Sequence, residues 1–416
     1  MPHPVRFVLM SQRDLHRYHT LRLVLEHRLT GAEAATSLGL SERHVWWLLA
    51  RLREGGRSAL VHGNRGRPSG RRLSESLQQP ILALARGPYA GLNTTHLTEK
   101  LQAEHGLVVS RATAHRLLHA AGVPRPRHRR PPRHRARRDR KAQAGQLVLW
   151  DGSPHAWLEA RGPRGCLVGA MDDATGAFLP GAVFVPAEDT VSYLRLLRVL
   201  LGTCGIPVAL YMDRHGIFRR TDDAWTLAEE LQGSQEPTQV GRALAALGIE
   251  AIYALSPQAK GRIERLWNTL QDRLVAELRL AGIPTLAGAN AFLPGFTAAF
   301  NRRFARPAAD TRPAWRPVPH GLDLDRLCSP YTAATVLNDN TVRTQGLVLQ
   351  IPPGPGGRGY AKARVEVRQL LAGTWRLYHQ DRVVATVAAA APQQSLRRRR
   401  YPSAGVSGVS PPCDFH

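Results

Sequence analysis

Cysteine is nearly missing from this chain: four in 416 residues, at positions 166, 204, 328 and 413. None is paired at zinc-ligand spacing, and so sparse a set builds no disulfide scaffold, so a reducing, cytoplasmic setting is expected. No stretch approaches the ~18 consecutive apolar residues of a membrane span. The opening MPHPVRFVLMSQRD has no longer apolar region and no small-residue cleavage site after it, so no secretory signal is expected. Acidic residues are scarce too: 32 Asp and Glu against 57 Lys and Arg give a formal charge of +25. That excess calls for a polyanionic partner, and counterion release makes such binding strong without making it specific. A ribosomal or structural basic protein would share this charge. What is present, 43% hydrophobic and 21% charged residues, describes a globular protein of roughly two to four domains.

The N-terminal third reads as two helical modules. Leu21–Gly56 has the pattern of a helix-turn-helix: an apolar helix from Leu21 to near His27, a second capped by Thr30 with Glu33 at the capping-box position, a turn at Gly39, and a third capped by Ser41. Val45, Leu48, Leu49 and Leu52 of that third helix point inward, leaving Arg43, His44 and Trp47 as candidate DNA contacts. A DNA-free three-helix bundle would look similar. Residues 62–72, HGNRGRPSGRR with its neighbours, read as a linker. Residues 73–123 repeat the theme, with Pro80 expected to kink or split their first helix and Ser110 capping a helix that exposes Arg111, Thr113 and Arg116. A basic linker, 124–145, follows. Its stretch Pro124–Lys141 holds ten Arg or Lys residues, Arg129 and Arg130 among them, against one acid, Asp139. Its prolines forbid a continuous helix, and a phosphate-tracking tether is expected.

From Gln146 the pattern changes to strands. Leu147–Trp150 ends at Asp151, Cys166–Met171 at Asp172-Asp173, and Ala177–Val185 completes a three-strand meander. A helix over Thr190–Leu201, a fourth strand Val208–Met212 ending at Asp213, and a fifth over Ile249–Ala254 give a mixed five-stranded sheet flanked by helices. Ser256–Leu274 reads as an amphipathic helix, Ser256 capping and Pro257 at its first position, with Ile263, Leu266, Trp267, Leu270 and Leu274 as its apolar stripe. The stripe does not require Glu264, which stacks with Lys260 and Asn268 along the polar flank. Asp151, Asp213 and Glu264 converging would repel unless cations lay between them, and all-oxygen ligands suit Mg²⁺ or Mn²⁺. Two ions about 4 Å apart serve phosphoryl transfer. Asp172 or Asp173 could compete with Asp151 as ligand, or simply form the turn. His155 and His215 could touch phosphate or be ordinary surface histidines. Arg262, with Lys260, is a candidate for orienting phosphates.

Residues 307–330 read as a proline-rich linker. Residues 331–390 read as a small β-barrel, SH3-like, from strand-like runs at Val342–Gln350, Ala363–Leu370, Thr374–Tyr378 and Val383–Val387. Residues 391–416 read as a basic tail.

In order, Trp150-Asp151-Gly152-Ser153-Pro154-His155, Met171–Gly176, Tyr211–Phe218, Ser256–Arg265 and Asn301-Arg302-Arg303-Phe304 closely resemble the DDE transposases of bacterial insertion sequences, of the ISNCY group. The resemblance implies a ribonuclease H-like integrase core over residues 146–306 with Asp151, Asp213 and Glu264 as catalytic and metal-binding triad, and agrees with the small barrel. It also implies binding to terminal inverted repeats, nicking, and joining of 3′-hydroxyls to target DNA by a homodimer or larger assembly. Asp213 and Glu264 stand 51 residues apart, more than is usual for that superfamily. The excess, Asp222–Gly248, reads as a surface insertion. A domesticated relative that binds DNA without cutting it, and a ribonuclease H or structure-specific nuclease, are the alternatives.

Overall fold

The computed structural model describes residues 10–61, 73–124, 138–220, 224–254 and 261–388. The chain divides into two compact units, Met1–Pro80 and Ile81–His416.

In the first unit, α1 (Gln12–Leu25), α2 (Gly31–Leu38) and α3 (Glu42–Gly55) enclose Leu21, Val24, Ala34, Val45, Leu48 and Leu49. Caps set the boundaries. Ser11 and Asp14 form a reciprocal capping box that starts α1 nine residues before the Leu21 expected from the apolar pattern. Thr30 and Glu33 do the same for α2, Gly39 ends it at φ 61°, and the Ser41 hydroxyl accepts from His44 N–H at the start of α3. α4 (Glu75–Arg86), which crosses from the first unit into the second, runs through Pro80 without the split that was one expectation there. A proline deletes one donor, and the remaining ladder bonds of the helix tolerate that loss.

After the end of α4, the second unit continues with α5 (Thr94–His105), capped by Asn93, and α6 (Arg111–Ala120), capped by Ser110. Its centre is a five-stranded sheet of β1 (Val148–His155), β2 (Gly165–Asp172), β3 (Val183–Val185), β4 (Ala209–Met212) and β5 (Glu250–Tyr253), in the order β3-β2-β1-β4-β5. β1, β2 and β3 pair antiparallel, and β4 and β5 join parallel to β1. This is the expected mixed five-stranded sheet flanked by helices. Parallel neighbours need crossovers, which α7 (Thr190–Thr203) and α9 (Gln239–Ala246) supply. They pack on one face over Val148, Trp150 and Leu210, while α10 (Gly261–Leu280) and α11 (Leu286–Phe304) pack on the other over Leu149 and Leu167.

Two local readings change. The third strand is shorter than Ala177–Val185, because Pro180 and Gly181 (φ 92°) break it. Instead, Asn301 and Asn290 of α11 each bond both backbone groups of one residue, Phe178 and Phe184, and so cover that edge. The segment between Asp213 and Glu264 is a surface insertion only in part. α8 (Leu227–Gln232) leaves Leu227 and Leu231 exposed, whereas α9 buries Val240, Ala243 and Leu244 in the core. The helix start expected at Ser256-Pro257 lies outside the described residues, as do Lys260, Arg129, Arg130 and the 391–416 tail.

The C-terminal region corrects the barrel expectation. After α12 (Leu324–Leu327), β6 (Tyr331–Thr335), β9 (Arg364–Gln369), β10 (Trp375–His379) and β11 (Arg382–Val387) form an open sheet in the order β11-β10-β9-β6. β7 (Thr341–Thr344) and β8 (Leu347–Gln350) are a separate hairpin, turned at Gln345 and Gly346 with φ 48° and 80°. A barrel requires its first and last strands to pair. Here β6 and β11 end the sheet on opposite sides and the hairpin bridges neither, so nothing closes.

Candidate active site

β1 continues past Trp150 to His155, so Asp151 is internal to the strand and not at its end. Alternation assigns faces. Val148 and Trp150 belong to the core under α7 and α9, and Leu149 to the core under α10, so Asp151 shares the α10 face. Two contacts agree. Trp267 Nε1 of α10 donates to Asp151 Oδ2 at 3.0 Å, and Gln271 one turn later donates to Ser153 Oγ at 3.1 Å.

Asp213 directly follows β4. β1 and β4 pair Val148 with Leu210 and Leu149 with Tyr211. Carried two residues further, that register sets Asp151 level with Asp213. Tyr211 packs against the α10-side core while Leu210 and Met212 belong to the other, so Asp213 has the parity of the α10 face. Its Oδ1 accepts from His215 N–H at 3.1 Å, and His215 Nδ1 accepts from Ile217 N–H at 3.3 Å, which folds the loop beyond the strand around this pair. Glu264 is half-buried in the first turn of α10, one turn from Trp267. Among the described residues, no group of three His, Cys, Asp or Glu side chains is close enough to hold a metal ion. Carboxylates such as Asp151 within β1, Asp213 just beyond β4 and Glu264 on α10 are the oxygen ligands that Mg²⁺ or Mn²⁺ prefers.

The competing carboxylates have other work. Asp172, 1% exposed, accepts from Gly145 N–H, Thr175 N–H and the Thr175 hydroxyl at 2.7–2.8 Å. Asp173, fully buried, accepts from Lys141 N–H at 2.8 Å, Arg138 at 2.6 Å and Arg262 at 2.5 Å. Burial alone would raise its pKa. The Lys141 N–H and the two guanidiniums outweigh burial and hold the carboxyl below its usual range. Arg262 also donates to the Arg138 carbonyl, so this candidate for phosphate orientation is an internal strut.

A fourth carboxylate, suited by sequence only to a helix N-terminus, lies near Asp151. Glu188, just before α7, accepts from the Tyr193 hydroxyl and lies over Gly152, where a Cβ would come within 2.7 Å of its Oε2 and 3.0 Å of Cys166 Sγ. Burial pushes the Cys166 thiol up to about 12, with Glu188 and Asp151 adding their negative charge. The glycine after Asp151 was the available signal, since a residue without a Cβ inside a strand marks close approach. His155 stacks edge-on against Trp157 at 5.3 Å.

Of the proposed DNA contacts, Arg43, His44 and Trp47 are exposed on α3, with Arg51 over the Trp47 ring at 4.8 Å. On α6, Arg111 and Arg116 are exposed and Thr113 is half-buried.

No protein-family model matches the chain. The protein y4bF of Sinorhizobium fredii, which carries the name of transposase, is 41% identical over 320 residues, spanning 77% of this chain and 68% of that one. The transposase for insertion sequence IS1202 of Streptococcus pneumoniae is 31% identical over 326 residues, 70% of this chain and 68% of that protein. The chain belongs to this family of bacterial transposases. Among solved structures, the simian T-cell lymphotropic virus intasome gives a TM-score of 0.32 at 15% identity, covering 75% of this transposase and 100% of that chain. The HTLV-2 integrase catalytic core domain with magnesium gives 0.27 at 15%, covering 39% and 89%. Values this low establish no shared fold by themselves. Among the described residues of the transposase, no helix is long and apolar enough to cross a membrane.

Proposed function

We propose that this chain is a DDE transposase of the ISNCY type, acting on DNA through Asp151, Asp213 and Glu264. The observation that supports the reading is the β1–β4 register, which, carried two residues past Leu149 and Tyr211, would bring Asp151 level with Asp213 on the face covered by the helix that bears Glu264. Two Mg²⁺ or Mn²⁺ ions held by these carboxylates would supply Lewis acidity and an activated water. The overall chemistry is two successive phosphoryl transfers. Water cuts a phosphodiester at an end of the element and leaves a 3′-hydroxyl. That hydroxyl then attacks a target phosphate in line, displaces the 3′-oxygen of the cut target strand, and forms no covalent bond to the protein.

The chain's own residues prepare this chemistry. Trp267 fixes one Asp151 oxygen through its indole N–H. His215 N–H orients Asp213. α3 with Arg43, His44 and Trp47, and α6 with Arg111, Thr113 and Arg116, are suited to reading terminal inverted repeats. Arg129, Arg130 and Lys260 are assigned to phosphates. Under this reading the chain divides at 1–61, 73–123, 146–306 and 331–390, with basic or proline-rich linkers between. Two element ends held together require a homodimer or larger assembly in the bacterial cytoplasm.

Purified protein incubated with labelled element-end DNA and Mg²⁺ tests this. Asp213→Asn and Glu264→Gln are each expected to lower cleavage by at least about 10³-fold while end binding stays within a few-fold. Variants that cut like the wild type would refute the assignment. A wild type that binds ends without cutting would support the domesticated, DNA-binding alternative.

A further inference from the structure

The tight turn after β2, Asp172–Gly176, is surrounded by arginines from three distant parts of the chain. Arg138 and Arg140 come from the end of the basic linker, Arg262 and Arg265 from the first turn of α10, and Arg306 from just beyond α11. Asp173 binds Arg138 and Arg262 at 2.6 and 2.5 Å. Arg140 Nη1 donates to the carbonyls of Asp173 and Ala174 at 3.2 and 3.1 Å, and Arg306 N–H donates to the Thr175 carbonyl at 3.0 Å. Burial, then the positive charges of Arg262, Arg306 and Arg265, hold the Arg140 guanidinium below its usual value, so these cations crowd one another.

Crowding like charges costs free energy unless an anion neutralises them. Local acids are too few. Asp172 spends its oxygens on backbone and hydroxyl donors, Asp173 is fully engaged, and Asp139 is a single exposed carboxylate. The adjoining stretches 125–137 and 255–260 contain no Asp or Glu at all. Arg140, Arg265 and Arg306 are exposed, whereas Arg262 is consumed.

We propose that Arg140, Arg265 and Arg306 form a collar that binds the sugar-phosphate backbone of duplex DNA, braced by the Asp173–Arg262 pair. This rests on the reading that Glu264 acts on DNA, since Arg265 is its neighbour in the same turn. The Arg140 and Arg265 guanidiniums, fixed by backbone carbonyls, present preset forks to phosphate oxygens and read no base edge, and Arg306 adds its charge beside them. The collar holds the strand beside the carboxylates whatever its sequence.

The test uses the full-length protein, a duplex of unrelated sequence and no divalent metal, so it is independent of cleavage. Arg140→Gln/Arg265→Gln/Arg306→Gln together are expected to weaken binding at least about tenfold near 0.1 M salt and to flatten the log Kd against log salt slope by about 2–3. A slope change smaller than about one, at any affinity, overturns the proposal. Should the triple variant unfold, phenylglyoxal modification of wild-type protein decides: duplex is expected to protect these three arginines, and unprotected arginines overturn the collar. If the wild type never cuts DNA yet the slope flattens, the collar stands and the catalytic reading falls.

Discussion

Gly152 is where a single missing atom matters most. It follows Asp151 in β1, and a side chain there would collide with Glu188, which Tyr193 holds, and with Cys166. Gly152→Ala is expected to cost about 1–3 kcal/mol in chemical denaturation, through overpacking of a filled site. Removing the obstacle should return much of it, so Glu188→Ala/Gly152→Ala is expected to be more stable than Gly152→Ala alone. Asp151 and Asp213 stood out in the sequence because each follows an apolar run, and Glu264 because the apolar stripe of its helix does not need it. The occupations of Asp172, Asp173 and Arg262 were not legible. Asp173 meets Arg262 across 89 positions, and no local pattern announces such a pair.

Helix α10 works on two sides. One flank meets β1 through Trp267 and Gln271. Another carries an ionic seam to α5: Glu277 bonds His96 at 2.7 Å and Lys100 at 2.8 Å, and Arg273 bonds Glu99 at 2.6 Å. The second helical module is thereby seated on the helix that bears Glu264. Burial would raise the Glu277 pKa, but His96 and Lys100 more than offset it and hold the carboxyl below its ordinary 4.5. A folded pKa below the unfolded one means stability that is full above about 4.5 and is lost as pH falls through the folded value. Wild type is expected to exceed Glu277→Gln by roughly 1–2 kcal/mol near neutrality, because the variant removes a carboxylate from His96 and Lys100 while Lys100 keeps Glu104. In thermal melts that gap should shrink steadily below about pH 4.5. A gap independent of pH would show that the seam is not ionic.

At the scale of the molecule, the first compact unit has a core of its own, built from Leu21, Val45, Leu48, Leu49 and their neighbours. Residues 1–80 expressed alone are expected to unfold cooperatively by far-UV circular dichroism and to bind duplex DNA with a steep salt dependence, without cutting it. A fragment that melts without a transition would show that this core needs the rest of the chain. The second unit is held by contacts far apart in sequence. β4 and β5 become parallel neighbours only through α9, and the C-terminal sheet is tied back to α9 where Gln239 bonds both backbone groups of Tyr331.

The division between what could be read and what could not follows the range of the interaction. Caps at Thr30, Ser41 and Ser110 act within three residues, so the sequence by itself determined where those helices begin. Apolar alternation likewise determined that five strands would form and left three acids beside them. Only the tertiary structure decided that Asp151 lies inside its strand, that α9 belongs to the core, that the C-terminal strands stay open, and that Arg262 braces Asp173. Each of these depends on which distant backbone or charge arrives opposite, and packing of the whole chain, not local propensity, selects that partner.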